Sequence, residues 1–179
     1  MIDKYLDSIT KSLKFKNWYA ALFIALVIPD ICGALEHPNE KSGIRYVNWY
    51  NKYMLPKYSS IMGPLQELHV FLSGEDCYAL RCSLLHEGTG DIEKQKISKS
   101  LESVHFNVSS DKGGVLHCNQ YKNVLQLQVD IFCNDLIDAA NQWLLDVQGD
   151  ADIQARMQLL SKIHPAFYFP GFIGHSDRS

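Results

Sequence analysis

The chain has 179 residues, of which 46% are hydrophobic and 21% charged, and its formal net charge is −3. This length suits one domain, residues 1–179, with a core large enough to fold without a disulfide or metal staple. The slightly negative charge excludes proteins that hold long nucleic acids by an overall positive field. We therefore expect no DNA binding, and any RNA contact must come from a local patch.

The cysteines and the longest apolar run indicate the cellular setting. Five cysteines are present without a CxxC pair and with no secretory leader before them, so we expect a reducing compartment and a cytoplasmic protein. Residues 18–28 are the most apolar run, but it ends at Pro29, and a helix needs about 20 apolar residues to cross a bilayer. The run predicts a buried core helix and no membrane contact.

Helical periodicity dominates the N-terminal part of the chain. Apolar residues recur at helical spacing in residues 3–14 and 43–53. Between them, Asn17 is placed to cap a central apolar helix that Pro29 kinks or restarts. Residues 54–72 contain two prolines and a glycine, which predict a loop with one helical turn at 65–72.

The segment that follows carries signals for both ends of a helix. Ser73 has an acid three residues later, Asp76, which is the pattern of an N-cap, and negative charge in a first turn is favoured by the helix dipole. Gly88 supplies the stop, since glycine takes the left-handed conformation at little cost. These signals predict a helix from Gly74 to Glu87.

The C-terminal half is predicted to mix helices with one hairpin. A short charged helix is expected near residues 91–100. Alternation of apolar and polar residues then predicts a β-hairpin inserted at about 103–119, with strands at 104–108 and 115–117. The remaining predicted segments are helices at 125–149 and 152–163 and a tail at about 165–179. The predicted fold class is mainly α, a helical bundle with a small inserted β-hairpin.

An arginine lies beside an apolar stripe of the helix predicted at 74–87. At about 100° per residue the stripe consists of Cys77, Leu80 and Leu84, and Arg81 lies about 40° from Cys77. A charge in this place costs free energy unless an anion pairs with it or a ligand reaches it. Two interpretations follow, and one is an internal ion pair with Asp30 or Glu36.

The other interpretation is a site for cleaving RNA. Arginine is a forked, permanently charged donor suited to phosphate, and His86 titrates near neutrality and can move a proton. A base that takes the ribose 2′-OH proton and a cation that stabilises the phosphoryl charge need no metal or other cofactor. His86 lies about 140° from Arg81 around the helix, so we expect the two to meet only if the helix end unwinds or a second copy contributes.

The stretch from Tyr78 to Gly88, with an arginine and a histidine five residues apart, resembles the signature of the HEPN superfamily, as a divergent bacterial-type member. The resemblance implies a helical bundle and a homodimer with Arg81 and His86 as the catalytic pair where two subunits meet. It further implies a metal-independent endoribonuclease in a toxin or defence setting, with a cognate antitoxin as a candidate partner. Ser83, Glu87 and Asp30 are candidate helpers of the pair.

Two departures from the family pattern keep a second function open. Cys82 follows the arginine where asparagine is typical, and the inserted hairpin is an addition to a plain bundle. The alternative is a non-catalytic HEPN-like module that binds RNA, a nucleotide or a protein partner. A helical domain of unrelated role, with a structural Arg81, is the third interpretation.

Other side chains were weighed as ligand contacts. Tyr78, Arg45 and Lys52 are candidate RNA contacts. A group of aromatics can either stack on bases or fill the core and interfaces. Its members are Trp18, Tyr46, Trp49, Tyr50 and Tyr53. A zinc set of Cys77, Cys82, His86 and Cys118 lacks the tight spacing of structural sites, so no metal is expected.

Overall fold

The computed structural model describes residues 2–109 and 114–163. Within these residues the chain is mainly helical, as the sequence predicts, with two small sheets. The helices are α1 (Asp3–Lys14), α2 (Trp18–Glu36), α3 (Ser42–Tyr53), α4 (Gly74–Glu87), α5 (Val129–Asp146) and α6 (Ala151–Gln158). The strands are β1 (Ser59–Met62), β2 (Glu67–Val70), β3 (Ser103–Asn107), β4 (Asn119–Tyr121) and β5 (Val124–Gln128). The predicted tail at 165–179 lies outside the described residues.

Helix α2 is the centre of the fold. It packs against α1, α3, α4 and α5, and about half of its apolar side chains are buried. In the described part of the chain it is the one helix long and apolar enough to cross a membrane, and half of that apolar window is buried inside the fold. Packing between helices thus accounts for about half of the apolar run.

The start of α2 matches its sequence signal, but its middle does not. The Asn17 side chain accepts a hydrogen bond from the Ala20 N–H at 3.4 Å and caps the helix as predicted. The predicted restart at Pro29 is wrong, because one continuous helix runs through this residue. A proline removes one backbone donor, and the burial of side chains on both sides of Pro29 offsets that loss.

Residues 54–72 form a short hairpin, and the predicted helical turn at 65–72 is wrong. A 3₁₀ turn at Leu55–Tyr58 leads into β1, which pairs with β2 in antiparallel register. The turn between the strands uses two residues with positive φ, Gly63 at 73° and Gln66 at 54°. Glycine at position 63 suits a tight reversal of the chain, because glycine adopts a positive φ at little cost. Gly63 and Pro64 therefore mark a turn.

The second sheet corrects the predicted hairpin at 103–119. Strand β3 forms close to where it was expected, but it pairs with β5 in parallel, and β4 pairs with β5 on the other side. Residues 115–117 form no strand. The predicted long helix from residue 125 was wrong in its first turn, because Leu125 and Leu127 are buried on one face of β5 and α5 begins only at Val129.

The charged segment 91–100 forms a loop, and the helix predicted there is wrong. The carboxylate of Asp76 on α4 accepts hydrogen bonds from the backbone N–H groups of Lys99, Ser100 and Leu101 at 2.7 to 3.4 Å. The hydroxyl groups of Ser73, Ser98 and Ser100 donate to the same carboxylate. A buried acceptor that collects loop N–H groups competes with helix formation, because those donors are no longer available to a helix.

Gly90 lets this loop approach β3, which leads to a first prediction. A Cβ at Gly90 would lie 2.2 Å from the Val104 carbonyl oxygen, and Val104 N–H donates to the Gly90 oxygen at 2.8 Å. Gly90→Ala is expected to lower the unfolding free energy by about 1 to 3 kcal/mol, because the backbone at residue 90 or at Val104 must move to make room for the Cβ. Denaturant unfolding checks this, with Gly149→Ala as the control, since a Cβ there meets nothing within 4 Å. Equal stability of both variants would contradict the prediction.

Candidate functional site

Helix α4 forms as its end signals predict. The Ser73 hydroxyl accepts a hydrogen bond from the Asp76 N–H at 3.1 Å, and Gly88 ends the helix in the left-handed region at φ 72°. Cys77 and Leu80 are fully buried, as expected for the apolar stripe, and Leu84 is partly buried against the core. Arg81 lies beside this stripe, and His86 lies about 140° further round the helix.

Arg81 is paired with Asp30 of α2. Its Nε donates to Asp30 Oδ2 at 2.7 Å, and the two side chains are 22% and 14% exposed. The internal ion pair of the sequence analysis is therefore present, and its acid is Asp30. Glu36, the other candidate, instead accepts a hydrogen bond from Trp143 Nε1 at 3.0 Å. The ion pair is not sealed off, because more than a fifth of the arginine side chain stays in contact with solvent.

The Arg81 guanidinium also contacts His86. Nη1 of Arg81 lies 3.4 Å from Nε2 of His86, which is exposed, while α4 remains helical through Glu87. The expectation that the two groups need an unwound helix or a second copy to meet is wrong, because the long arginine side chain spans the angle between them. An arginine N–H can donate only to an unprotonated nitrogen, so the contact is a hydrogen bond in the neutral tautomer that leaves Nε2 without a proton.

Burial and charge act in opposite directions on the ion pair. Burial raises the pKa of Asp30 above its ordinary value, against the opposing attraction of Arg81 and Arg45. Burial also tends to lower the pKa of Arg81, but the nearby Asp30 carboxylate more than offsets this, and the pKa of Arg81 is raised. Arg81 therefore stays cationic at any physiological pH, as a phosphate-binding group must.

In the described part of the chain, Ser83 and Glu87 form hydrogen bonds with the loop that follows α4. Ser83 is fully buried, and its hydroxyl accepts from Gln95 Nε2 at 3.1 Å, while the same nitrogen donates to Glu87 at 3.3 Å. Both hydrogen bonds hold the loop against the end of α4. The two residues thus support the helix that carries the pair, and in the described part of the chain these hydrogen bonds go to Gln95.

The three candidate RNA contacts lie at different distances from the ion pair. Arg45 is close enough to Asp30 to influence its charge, and its Nη1 donates to the Glu40 carbonyl at 3.3 Å. The Tyr78 hydroxyl shares a hydrogen bond with Ser42 at 3.1 Å. Lys52 lies in the last turn of α3, and its Nζ is 4.0 Å from Glu36.

Most of the aromatics weighed as base-stacking groups belong to the core. Tyr46, Trp49 and Tyr50 are at most 2% exposed. For these three residues the interpretation as base-stacking groups is therefore wrong. Trp18 is partly exposed and lines a cavity together with Tyr19, which is 75% exposed. The sequence did not single out Tyr19, because this residue is one of the apolar positions that run almost all the way round a helix predicted to be buried. Its place in the first turn after the Asn17 cap was the available signal.

A zinc site among the cysteines finds no support in residues 2–109 and 114–163. Cys77 is fully buried, and no group of three or more histidine, cysteine or acidic side chains is arranged to hold a metal there. Burial raises the pKa of the Cys77 thiol to about 12, which disfavours the thiolate that binds metals.

Comparisons with protein-family models, curated proteins and solved structures found no match. Any function must therefore be argued from the geometry around Arg81 and from the sequence pattern of α4.

Proposed function

We propose that the chain is a metal-independent endoribonuclease of the HEPN type, with Arg81 and His86 as its catalytic pair. The observation that carries the proposal is the contact between a permanently charged guanidinium and an exposed imidazole, 3.4 Å apart on one helix. The mainly helical fold is compatible with a HEPN-like bundle. Few structural roles need this pair, because a surface histidine beside an arginine adds little stability.

The contact suggests how the two groups divide the reaction. An incoming phosphodiester attracts the Arg81 guanidinium and frees Nε2 of His86 to accept the ribose 2′-OH proton. The 2′-oxygen then bonds to phosphorus, the bond to the 5′-oxygen breaks, and that oxygen takes up a proton from the histidine or water. Arg81 stabilises the negative charge that builds up on the phosphoryl oxygens. The products are a 2′,3′-cyclic phosphate and a 5′-hydroxyl end.

Asp30 supports this role as a positioning residue. Its hydrogen bond uses Nε of Arg81, the edge nearest the chain, and Nη1 points instead at His86. A guanidinium held at one edge keeps a fixed direction while its far end meets the ligand, and fixed donors need little reorganisation during reaction. Partial burial of the pair lowers the local dielectric and strengthens the attraction to phosphate.

The HEPN resemblance adds a biological setting to the proposal. It comprises a cytoplasmic homodimer that joins two copies of the site, RNA as substrate, and a cognate antitoxin as partner in a toxin or defence system. These elements rest on the sequence pattern of α4.

A second candidate function is a HEPN-like module that binds RNA, a nucleotide or a protein partner without cutting. The Arg81–Asp30 hydrogen bond at 2.7 Å favours it, because a carboxylate already bound to arginine competes with phosphate. Cys82, in place of the asparagine typical of the family, points the same way.

A cleavage assay separates the two functions. Purified protein is incubated with mixed single-stranded RNA in EDTA, and the ends of the products are identified. We expect cleavage with 2′,3′-cyclic phosphate ends and none of an RNA whose 2′-OH groups are methylated. The His86→Ala variant is compared with His105→Ala, which removes an exposed histidine from β3. Binding without cleavage by the wild type would select the second function.

A further inference from the structure

A cavity of about 400 Å³ opens between the start of α2, the end of α4 and strand β3. This volume lies in the range of small-molecule pockets, about 300 to 1,000 Å³. Its lining residues are mostly apolar or aromatic and include Trp18, Tyr19, Leu22, Leu84, Gly88 and Phe106. None of these side chains takes part in the Arg81–His86 contact.

The cavity has a buried floor and an exposed aromatic rim. Leu22, Val104 and Val129 form part of the floor and are at most 4% exposed. Tyr19 stands at the rim with 75% of its surface exposed, and its ring packs edge to face against Phe23 at 6.2 Å. A largely exposed ring at the rim of an apolar floor suits a flat ligand with one apolar face and polar edges, as a nucleobase has.

The cavity lies on the Arg81 side of α4. Gly88 follows Arg81 by seven residues and is rotated from it by only about 20°, about 10 Å further along the helix. On α2 the rim residue Tyr19 precedes Asp30 by 11 residues, which corresponds to about 16 Å and a similar direction. A stacked strand advances about 3.4 Å per nucleotide, so a few nucleotides cover the distance.

We infer that this cavity binds a base of the single-stranded RNA whose phosphodiester lies at Arg81, with the base stacked on Tyr19. The inference rests on the proposed function and deepens it, since it assigns unpaired RNA as the substrate and places base selection in this cavity. His86 and Gly88 both follow Arg81 along α4, with His86 rotated from it by about 140° and Gly88 by about 20°. The strand therefore runs along α4 with its backbone at the cation and a base in the apolar site.

Binding of an uncleavable probe tests the inference separately from catalysis. The probes are four fluorescent octanucleotides of 2′-O-methyl RNA, each with a single base type, because methylation blocks attack by the 2′-oxygen. Tyr19→Ala is expected to weaken binding by roughly 5- to 100-fold, the range for loss of one base-stacking ring, and to reduce differences among the four probes. Tyr19→Phe keeps the ring and is expected to bind as the wild type does.

Tyr121→Ala is the matched control, because Tyr121 is 76% exposed and lies on β4, away from the cavity lining. It is expected to change binding less than twofold. Binding of Tyr19→Ala at wild-type strength would overturn the inference, and cleavage by that variant would then leave the proposed function standing. If binding depends on Tyr19 but the protein cleaves no RNA, the role of the cavity in base binding would be supported and the nuclease function rejected. Failure of the wild type to bind any probe would overturn the inference and favour an apolar protein segment as the occupant.

Discussion

Arg81→Ala is expected to lower kcat/KM for RNA cleavage by about 100- to 1,000-fold, the effect of removing one group that stabilises transition-state charge. The arginine is the fixed cation next to His86, and no other arginine has a recorded hydrogen bond to the imidazole in the described part of the chain. Single-turnover cleavage of a labelled RNA measures the effect. Arg81→Lys keeps the charge but loses the forked geometry, and it is expected to recover only part of the rate.

The stability of the same variants separates catalysis from packing. Arg81→Ala leaves the largely buried Asp30 carboxylate unpaired, which is expected to cost about 1 to 3 kcal/mol. Adding Asp30→Asn removes that charge and is expected to restore stability without restoring cleavage. Arg156→Ala is the matched control, since Arg156 Nε donates to the Leu35 carbonyl at 2.7 Å on another helix. A double variant that regains both stability and activity would show that Arg81 is only structural.

Asp76→Ala is expected to be the most destabilising of these substitutions, at about 3 kcal/mol or more. Asp76 is fully buried and is the common acceptor for three backbone N–H groups and three hydroxyl groups. Its removal leaves these buried and part-buried donors without their acceptor, and each buried donor left unpaired costs about 1 to 3 kcal/mol unless the loop opens. For a chain of this size that corresponds to a fall in Tm of about 6 to 12 °C.

Glu75→Ala provides the control for Asp76→Ala, because it removes the same charge from the same first turn of α4. Loss of a favourable charge near the helix N-terminus is expected to cost less than about 1 kcal/mol. Similar Tm values for the two variants would contradict the role given to the Asp76 hydrogen bonds.

The Asp76 hydrogen bonds also predict a dependence of stability on pH. Burial alone would raise the pKa of Asp76, but hydrogen bonds from Ser73 and from the backbone of residues 99–101 outweigh it and lower the pKa. The folded state therefore holds this proton less tightly than the unfolded state, whose carboxyl titrates near pH 3.9. The stabilisation is present above that pH and is lost as the pH falls through the folded-state pKa. Asp76→Asn is expected to show a flatter acid limb in thermal unfolding measured against pH.

Features with a local cause could be predicted from the order of residues. The Asn17 cap, the Ser73 cap and the Gly88 stop each depend on a side chain or a φ angle within one helical turn, and all three are confirmed. The apolar stripe of α4 follows from helical spacing in the same way. The ion pair of Arg81 was one of two interpretations, since a charge beside apolar residues requires a partner or a ligand.

Features that join distant segments could not be predicted in this way. The hydrogen bonds that turn residues 91–100 into a loop come from Asp76, whose side chain was interpreted only as part of a cap. Strand β5 was taken as the first turn of a helix, because a short apolar run fits both periods, and only pairing with β3 decides between them.

Local order therefore set the start of α2 and both ends of α4, because the interactions that form them join neighbours three or four residues apart. The folded chain decided which acid meets Arg81, 51 residues away, and which aromatic rings reach solvent. Those outcomes depend on how α2, α4 and β3 pack together, and packing satisfies buried charges and donors across the whole domain at once.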